Sequence, residues 1–148
     1  MNDAPMLLSI EDYRLEFDTF DGAYQVLDGI SLALHERESL GVVGETGCGK
    51  PVLAKSVMGL LASPPARVRS GRILFEGQDV LKHSAADWQR LRGHRVAMIF
   101  QDPMTYLNPV FSIGRQLGDV LRALQPMGKA AVRARSIELL EHVRLPDA

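Results

Sequence analysis

Apolar and polar positions change their spacing along the chain, and each change predicts an element. Residues 6–17 mix apolar and acidic side chains as a strand does, and residues 19–22 carry a turn signal. Residues 24–34 alternate loosely, which predicts a second strand. Residues 28–29, an Asp-Gly pair, interrupt this alternation and predict a bulge or bend.

Two short runs are apolar without alternation. Residues 40–43 and residues 96–100 both have this character, which is typical of strands buried on both faces of a sheet. Residues 72–76 predict one more strand, and Gly77 predicts the turn that ends it.

Four stretches carry helical signals. Apolar side chains fall on one helix face over residues 53–61, 113–124 and 132–143. The Ser-Pro-Pro sequence that follows the first of these predicts its end. Ser84 and Asp87 have the spacing of a capping box, which predicts a short helix.

Composition is that of a soluble globular protein. The 148 residues fit one domain, and 17 basic against 18 acidic side chains leave a net charge of −1. A nucleic-acid partner is not expected, because it would call for a basic surface. Cys48 is the single cysteine, and no apolar run approaches the roughly 18 residues of a membrane span. We therefore expect an intracellular protein without a secretory signal.

A glycine-rich loop carries the main chemical signal. It matches the first seven positions of the phosphate-loop pattern G-x-x-x-x-G-K-[ST]. Its glycines let backbone N–H groups face a phosphate, and the helix that follows directs its positive end at the same anion. A glycine-rich turn with no nucleotide role is the alternative. The residues concerned are Gly44, Glu45, Thr46, Gly47, Cys48, Gly49 and Lys50.

Pro51 breaks this pattern at its eighth position, where a Ser or Thr hydroxyl would bind Mg²⁺. Proline has neither the hydroxyl nor an N–H, and it biases Lys50 away from the helical region. It is tolerated in a first helical turn, so we expect the helix to form. We expect Mg²⁺-nucleotide binding to be weakened and hydrolysis to be impaired.

Several segments together resemble the nucleotide-binding domains of ABC transporters. Residues 27–32 (Leu-Asp-Gly-Ile-Ser-Leu) are similar to the strand that precedes the phosphate loop in that family. Residues 100–109 (Phe-Gln-Asp-Pro-Met-Thr-Tyr-Leu-Asn-Pro) resemble its Q-loop. Residues 56–61 and 71–77 fit the ATP-binding subunits of dipeptide, oligopeptide and nickel importers. Tyr106 departs from this subfamily, which usually has a small serine there.

The resemblance implies roles for particular residues. Residues 44–50 would hold the phosphates of ATP, with Pro51 beside them. Gln101 would touch Mg²⁺ or the attacking water, and Lys50 and Gln101 are thus the candidate catalytic residues. Phe17 would stack on adenine, although a buried core position is the alternative for it and Phe20 or Tyr24 could take the role instead.

The implied fold class is α/β, that of an incomplete P-loop NTPase of the ABC type. Residues 6–100 would form an antiparallel β subdomain with the phosphate-loop core, and residues 101–148 the Q-loop and the start of a helical subdomain. The implied cofactors are ATP and Mg²⁺. Pro51 argues against Mg²⁺ binding, because it replaces the usual Ser or Thr ligand. Transmembrane permease subunits and a second ATP-binding subunit would be the partners, at the cytoplasmic face of the plasma membrane.

The family's Leu-Ser-Gly-Gly-Gln signature, catalytic Glu and switch His are not found in these 148 residues. The resemblance therefore indicates the N-terminal portion of an ATP-binding subunit of a peptide importer, inactive on its own. A non-catalytic, degenerate nucleotide-binding or interaction fragment is one alternative. An unrelated phosphate-loop enzyme, such as a small kinase or GTPase, is another, and residues 100–109 argue against it.

Overall fold

The computed structural model describes residues 4–102 and 106–145, and the chain divides into two compact units, residues 1–92 and 93–148. The first unit has an antiparallel sheet of strands β1 (Met6–Thr19), β2 (Gly22–His35), β3 (Ala66–Phe75) and β4 (Gln78–Asp79), in the order β2-β1-β3-β4. It also contains helices α1 (Lys50–Val57) and α2 (Ala85–Leu91), and a 3₁₀-helix at Val80–Lys82. The second unit contains α3 (Ile113–Leu124) and α4 (Lys129–His142).

Strand β1 lies inside the sheet and supplies much of the core of the first unit. Ile10, Tyr13 and Leu15 are at most 2% exposed. Strict alternation would put Ile10 and Tyr13 on opposite faces, but the register with both neighbouring strands shifts between them. This irregularity turns both side chains into the core.

Strand β2 contains the predicted bulge. Tyr13 pairs with Ile30 and Leu15 pairs with Leu27, so three steps along β2 match two steps along β1. The extra residue falls at Asp28-Gly29, and the prediction is confirmed. The predicted strands over residues 6–17, 24–34 and 72–76 are also confirmed. The first two extend further at their ends, and the third begins earlier, at Ala66, and ends at Phe75.

Helix α1 ends earlier than the sequence predicted. The Ser-Pro-Pro sequence was expected to end it, but the helix stops at Val57. Gly59 has a φ of 59°, its N–H donates to the Ser56 carbonyl at 3.1 Å, and the N–H of Leu60 donates to the Lys55 carbonyl at 2.9 Å. This pair of hydrogen bonds is a Schellman motif, so Gly59 terminates the helix.

The strands predicted over residues 40–43 and 96–100 are wrong. Neither segment is a strand, and neither is buried, since Val43 is 93% and Ile99 97% exposed. A buried strand needs neighbours that satisfy its backbone and cover its faces. The described residues supply no strand that pairs with either segment.

The remaining helices confirm the sequence pattern. Ser84 and Asp87 form the predicted reciprocal capping box at the start of α2. Helix α3 has the predicted bounds, and the Ser112 side chain caps it by accepting from the Arg115 N–H. In the second unit, Gly118 of α3 lies close to Val132 of α4, so that a Cβ at Gly118 would be 3.1 Å from Val132 Cγ1. None of the helices in the described ranges is both long and apolar enough to cross a membrane.

Candidate functional site

The phosphate loop, residues 44–50, is held against strand β2 where it enters α1. Gly49 is buried, and a Cβ added there would lie 2.8 Å from Leu27 Cδ2 and 3.2 Å from the Val26 carbonyl oxygen. Its φ of 92° lies in the region that favours glycine. Contact with the sheet therefore fixes the end of the loop from which the helix starts.

The Lys50 side chain folds back over this loop. Its Nζ donates to the carbonyl oxygens of Gly44 at 2.6 Å and Glu45 at 2.7 Å. The ammonium group thus lies against the loop backbone, on the same short segment as the glycines. A phosphate held by the loop would offer this cation stronger, charged acceptors than the two carbonyls.

The N-terminus of α1 is not capped by a side chain. Gly49 occupies the N-cap position, and the first turn has no acidic residue. The N–H groups and the positive end of the helix dipole are therefore not neutralised by a carboxylate within the helix. Together with Lys50, this arrangement suits a bound anion.

Pro51 is the second residue of α1 and is exposed. Helical bonding continues past it, with the Leu53 N–H donating to the Gly49 carbonyl at 2.9 Å. The expected tolerance of proline in the first turn is confirmed, but Lys50 is helical despite the expected bias. The pyrrolidine ring offers neither an oxygen ligand nor an N–H at this position.

The other loop side chains are exposed. Glu45 contributes its carbonyl oxygen, which also accepts from the Cys48 N–H at 3.3 Å. The Cys48 Sγ lies 3.4 Å from Lys50 Nζ and 2.7 Å from the position that a Gly44 Cβ would occupy. A side chain at position 44 would therefore displace the Cys48 sulfur. Thr46 lies in the turn at the tip of the loop.

The candidate adenine-stacking residues lie at the hairpin end of the sheet. Phe17 of β1 is half-buried and pairs with Tyr24 of β2 and Ala66 of β3. Phe20, in the turn, is fully exposed, and Tyr24 is 68% exposed. Phe17 is therefore not a fully buried core residue, and all three rings keep some access to solvent.

Gln101 belongs to the second unit and is exposed. The structure brings the loop residues and Pro51 together, but Gln101 lies in the other compact unit. Pro103, Met104 and Thr105 of the predicted Q-loop lie outside the described residues. Among the described residues, no group of three or more His, Cys, Asp or Glu side chains is arranged to hold a metal ion.

Two contacts around this segment were not predicted. The rings of Phe100 and Tyr106 stack with centroids 3.8 Å apart and an angle of 20° between their planes. Gln116 of α3 accepts from the Asn108 N–H and donates to the Asn108 and Phe111 carbonyls, at 2.9–3.0 Å. In the sequence, Tyr106 stood out only because the importer subfamily usually has a serine there. Gln116 gave no signal at all, because a glutamine on a helix is not usually expected to hydrogen-bond to a preceding loop.

Comparison with known families matches residues 27–148 to the family described as ABC transporter. The oligopeptide transport ATP-binding protein OppD of Bacillus subtilis is 41% identical over 140 residues, covering 95% of this chain and 39% of that protein. The probable D,D-dipeptide transport ATP-binding protein DdpD of Escherichia coli is 43% identical over 142 residues, covering 96% of this chain and 43% of that protein. The chain spans about two fifths of the length of these relatives.

A solved structure shares the fold. A dimeric ATP-binding cassette in a post-hydrolysis state, bound to ADP and Pi, matches with a TM-score of 0.77. The match covers 95% of this chain and 59% of that chain at 15% sequence identity. The likeness confirms the predicted α/β fold class.

Proposed function

The chain belongs to the ABC transporter family, and we propose that its phosphate loop binds the phosphates of ATP within the ATP-binding component of a peptide importer. The contact of Lys50 with the Gly44 and Glu45 carbonyls at the uncapped start of α1 carries this proposal. The names of the curated relatives, which are oligopeptide and dipeptide transport ATP-binding proteins, support the assignment to peptide import.

In this proposal the residues that contact ATP have distinct roles. Residues 44–49 supply backbone N–H groups, and Lys50 supplies a positive charge that follows the phosphates. Phe17 would stack on the base, and Gln101 would touch Mg²⁺ or the attacking water. Transmembrane permease subunits and a second ATP-binding subunit would be the partners, with the assembly at the cytoplasmic face of the membrane.

Magnesium does not fit this chain at the usual loop position. Mg²⁺ takes oxygen ligands, and Pro51 has no side-chain oxygen. We therefore assign no step of the reaction to a metal held at residue 51. Pro51 is also the observation that favours a second candidate function, a degenerate subunit that binds nucleotide without hydrolysing it.

The effect of Pro51 can be measured as the Mg²⁺ dependence of ATP affinity. We expect Mg²⁺ to raise the affinity of Pro51→Ser about tenfold or more, since a ligand to a charged group is restored, and to change that of the unmodified chain far less. Isothermal titration with and without Mg²⁺ gives both values. Pro51→Ala, which restores the N–H but not the hydroxyl, should behave like the unmodified chain in this respect. Equal Mg²⁺ dependence in the serine variant and the unmodified chain would exclude this role for residue 51.

A further inference from the structure

A cleft in the first unit lies apart from the phosphate loop. It has a volume of about 320 Å³ and is lined by β1, β3, the end of α1, the Val80–Lys82 segment and α2. This volume is at the lower end of the roughly 300–1,000 Å³ found for small-molecule sites. The cleft is therefore large enough for one ring-sized molecule.

One wall of the cleft is a fixed aromatic ring. Gly59 leaves room for Trp88, because a Cβ at Gly59 would lie 2.3 Å from the indole ring. The Arg92 guanidinium lies 4.8 Å from the ring centroid, and its Nε donates to the Met58 carbonyl at 2.9 Å. The His83 ring packs edge-on against the same indole at 5.2 Å. Trp88 is thus held from several sides and presents a preformed surface.

The cleft contains a few polar groups among apolar ones. Tyr13 and Ser56 line it and are 1% and 4% exposed. Burial raises the pKa of the Tyr13 hydroxyl, and a side-chain hydrogen bond with Ser56 opposes that rise. Tyr13 therefore keeps its proton at neutral pH. Ser56 Oγ donates to the Val52 carbonyl at 2.9 Å, so it is the acceptor in its hydrogen bond with Tyr13 and keeps one further lone pair to accept from a ligand.

The described residues that line the cleft carry no charged side chain. The Arg92 guanidinium, which lies over Trp88, already donates to the Met58 and Gly59 carbonyls. An ion that entered would therefore lose its hydration without gaining a free counter-charge, so charged ligands are disfavoured. A flat apolar ring can instead pack on Trp88 and leave one polar substituent for the hydroxyls. From this combination we propose that the cleft binds a small, uncharged aromatic molecule with one amide or hydroxyl group, independently of nucleotide.

Trp88 is the only tryptophan of the chain, so its emission reports on the cleft directly. We expect benzamide to change Trp88 emission saturably, with a Kd of about 1 mM or tighter, as suits a ligand of this size. Benzoate, which has the same ring but is charged, should bind at least about tenfold more weakly. No saturable change with benzamide, or equal affinity for both probes, would overturn the proposal.

Two matched variants locate the binding. Val68 lines the cleft and is 44% exposed, so Val68→Phe narrows the cleft without burying a new ring in the core. It should weaken benzamide binding about tenfold. Val110→Phe makes the same change at an 81% exposed site in the second unit and should leave binding unchanged. Benzamide binding that Val68→Phe does not alter would contradict the assignment. Lys50→Ala should retain benzamide binding, which separates this test from that of ATP binding.

Discussion

Two neighbouring residues decide what the phosphate loop can hold. Lys50 places its ammonium group on the Gly44 and Glu45 carbonyls, whereas Pro51 brings neither a hydroxyl nor an N–H. The loop therefore has the cation that would follow the phosphates but not the usual oxygen ligand for Mg²⁺. The sequence alone predicted what these two side chains can and cannot bind, because that depends only on their own chemistry. The carbonyl contacts of Lys50 could not be predicted, because they depend on the path of the backbone.

Gly49 should be the least replaceable residue of the loop. We expect Gly49→Ala to lower the melting temperature and to weaken ATP binding, because the new Cβ would lie 2.8 Å from Leu27 and the backbone would be strained at a φ of 92°. The strain alone costs about 1 kcal/mol. Thermal unfolding and ATP titration measure the two effects.

Gly47→Ala is the matched control for this change. Gly47 has a similar φ of 88°, but a Cβ there would meet nothing within 4 Å. Gly47→Ala should therefore carry the backbone strain without a steric clash, and it should lower the melting temperature and ATP affinity less than Gly49→Ala does. Equal losses in the two variants would show that packing against β2 does not position the loop.

Among the helices and strands, the sequence correctly predicted those that are specified by nearby residues, such as an apolar stripe or a capping box. The apolar stripe gave the bounds of α3, and the Ser84–Asp87 spacing gave the start of α2. It was wrong for residues 40–43 and 96–100, because an apolar run becomes a strand only beside a partner. It also missed the end of α1, since the Gly59 stop signal lies inside a continuous apolar stripe.

The capping box of α2 predicts a pH dependence. Hydrogen bonds from the Ser84 side chain and backbone, and from Arg90, lower the pKa of Asp87 to about 2. Since this lies below the ordinary value of about 3.9, the carboxylate stabilises the folded state fully above about pH 4. That contribution is lost as the pH falls from about 4 to about 2.

We therefore expect Asp87→Asn to melt below the unmodified chain at neutral pH, with the difference closing between about pH 4 and pH 2. Circular dichroism melts across this pH range give the two curves. A difference that persisted unchanged at about pH 2 would mean that the charge of Asp87 does not support α2.

At the scale of the molecule, the first unit exposes apolar side chains beside the phosphate loop. Val43 is 93% and Val42 50% exposed, and both line an apolar cavity of about 220 Å³ next to Lys50 and Leu53. An exposed apolar segment with unpaired backbone is a site for aggregation. The segment is exposed because no strand among the described residues pairs with it.

Val43→Lys should accordingly reduce self-association. We expect lower light scattering at equal concentration, because a charge interrupts the apolar run of residues 40–43. Val110→Lys adds the same charge at a valine that is 81% exposed in a turn, and it should change scattering far less. If both variants reduced scattering equally, net charge and not this segment would be the cause.

We propose that residues 44–50 bind the phosphates of ATP through Lys50. The most direct test is ATP binding by the full chain in the presence of a metal chelator, which removes any contribution from Mg²⁺. We predict saturable binding that Lys50→Ala weakens about tenfold or more, since a charged hydrogen bond to phosphate is lost, and that Lys55→Ala, later in α1, leaves unchanged. Equal ATP affinity in Lys50→Ala and the unmodified chain would contradict the account.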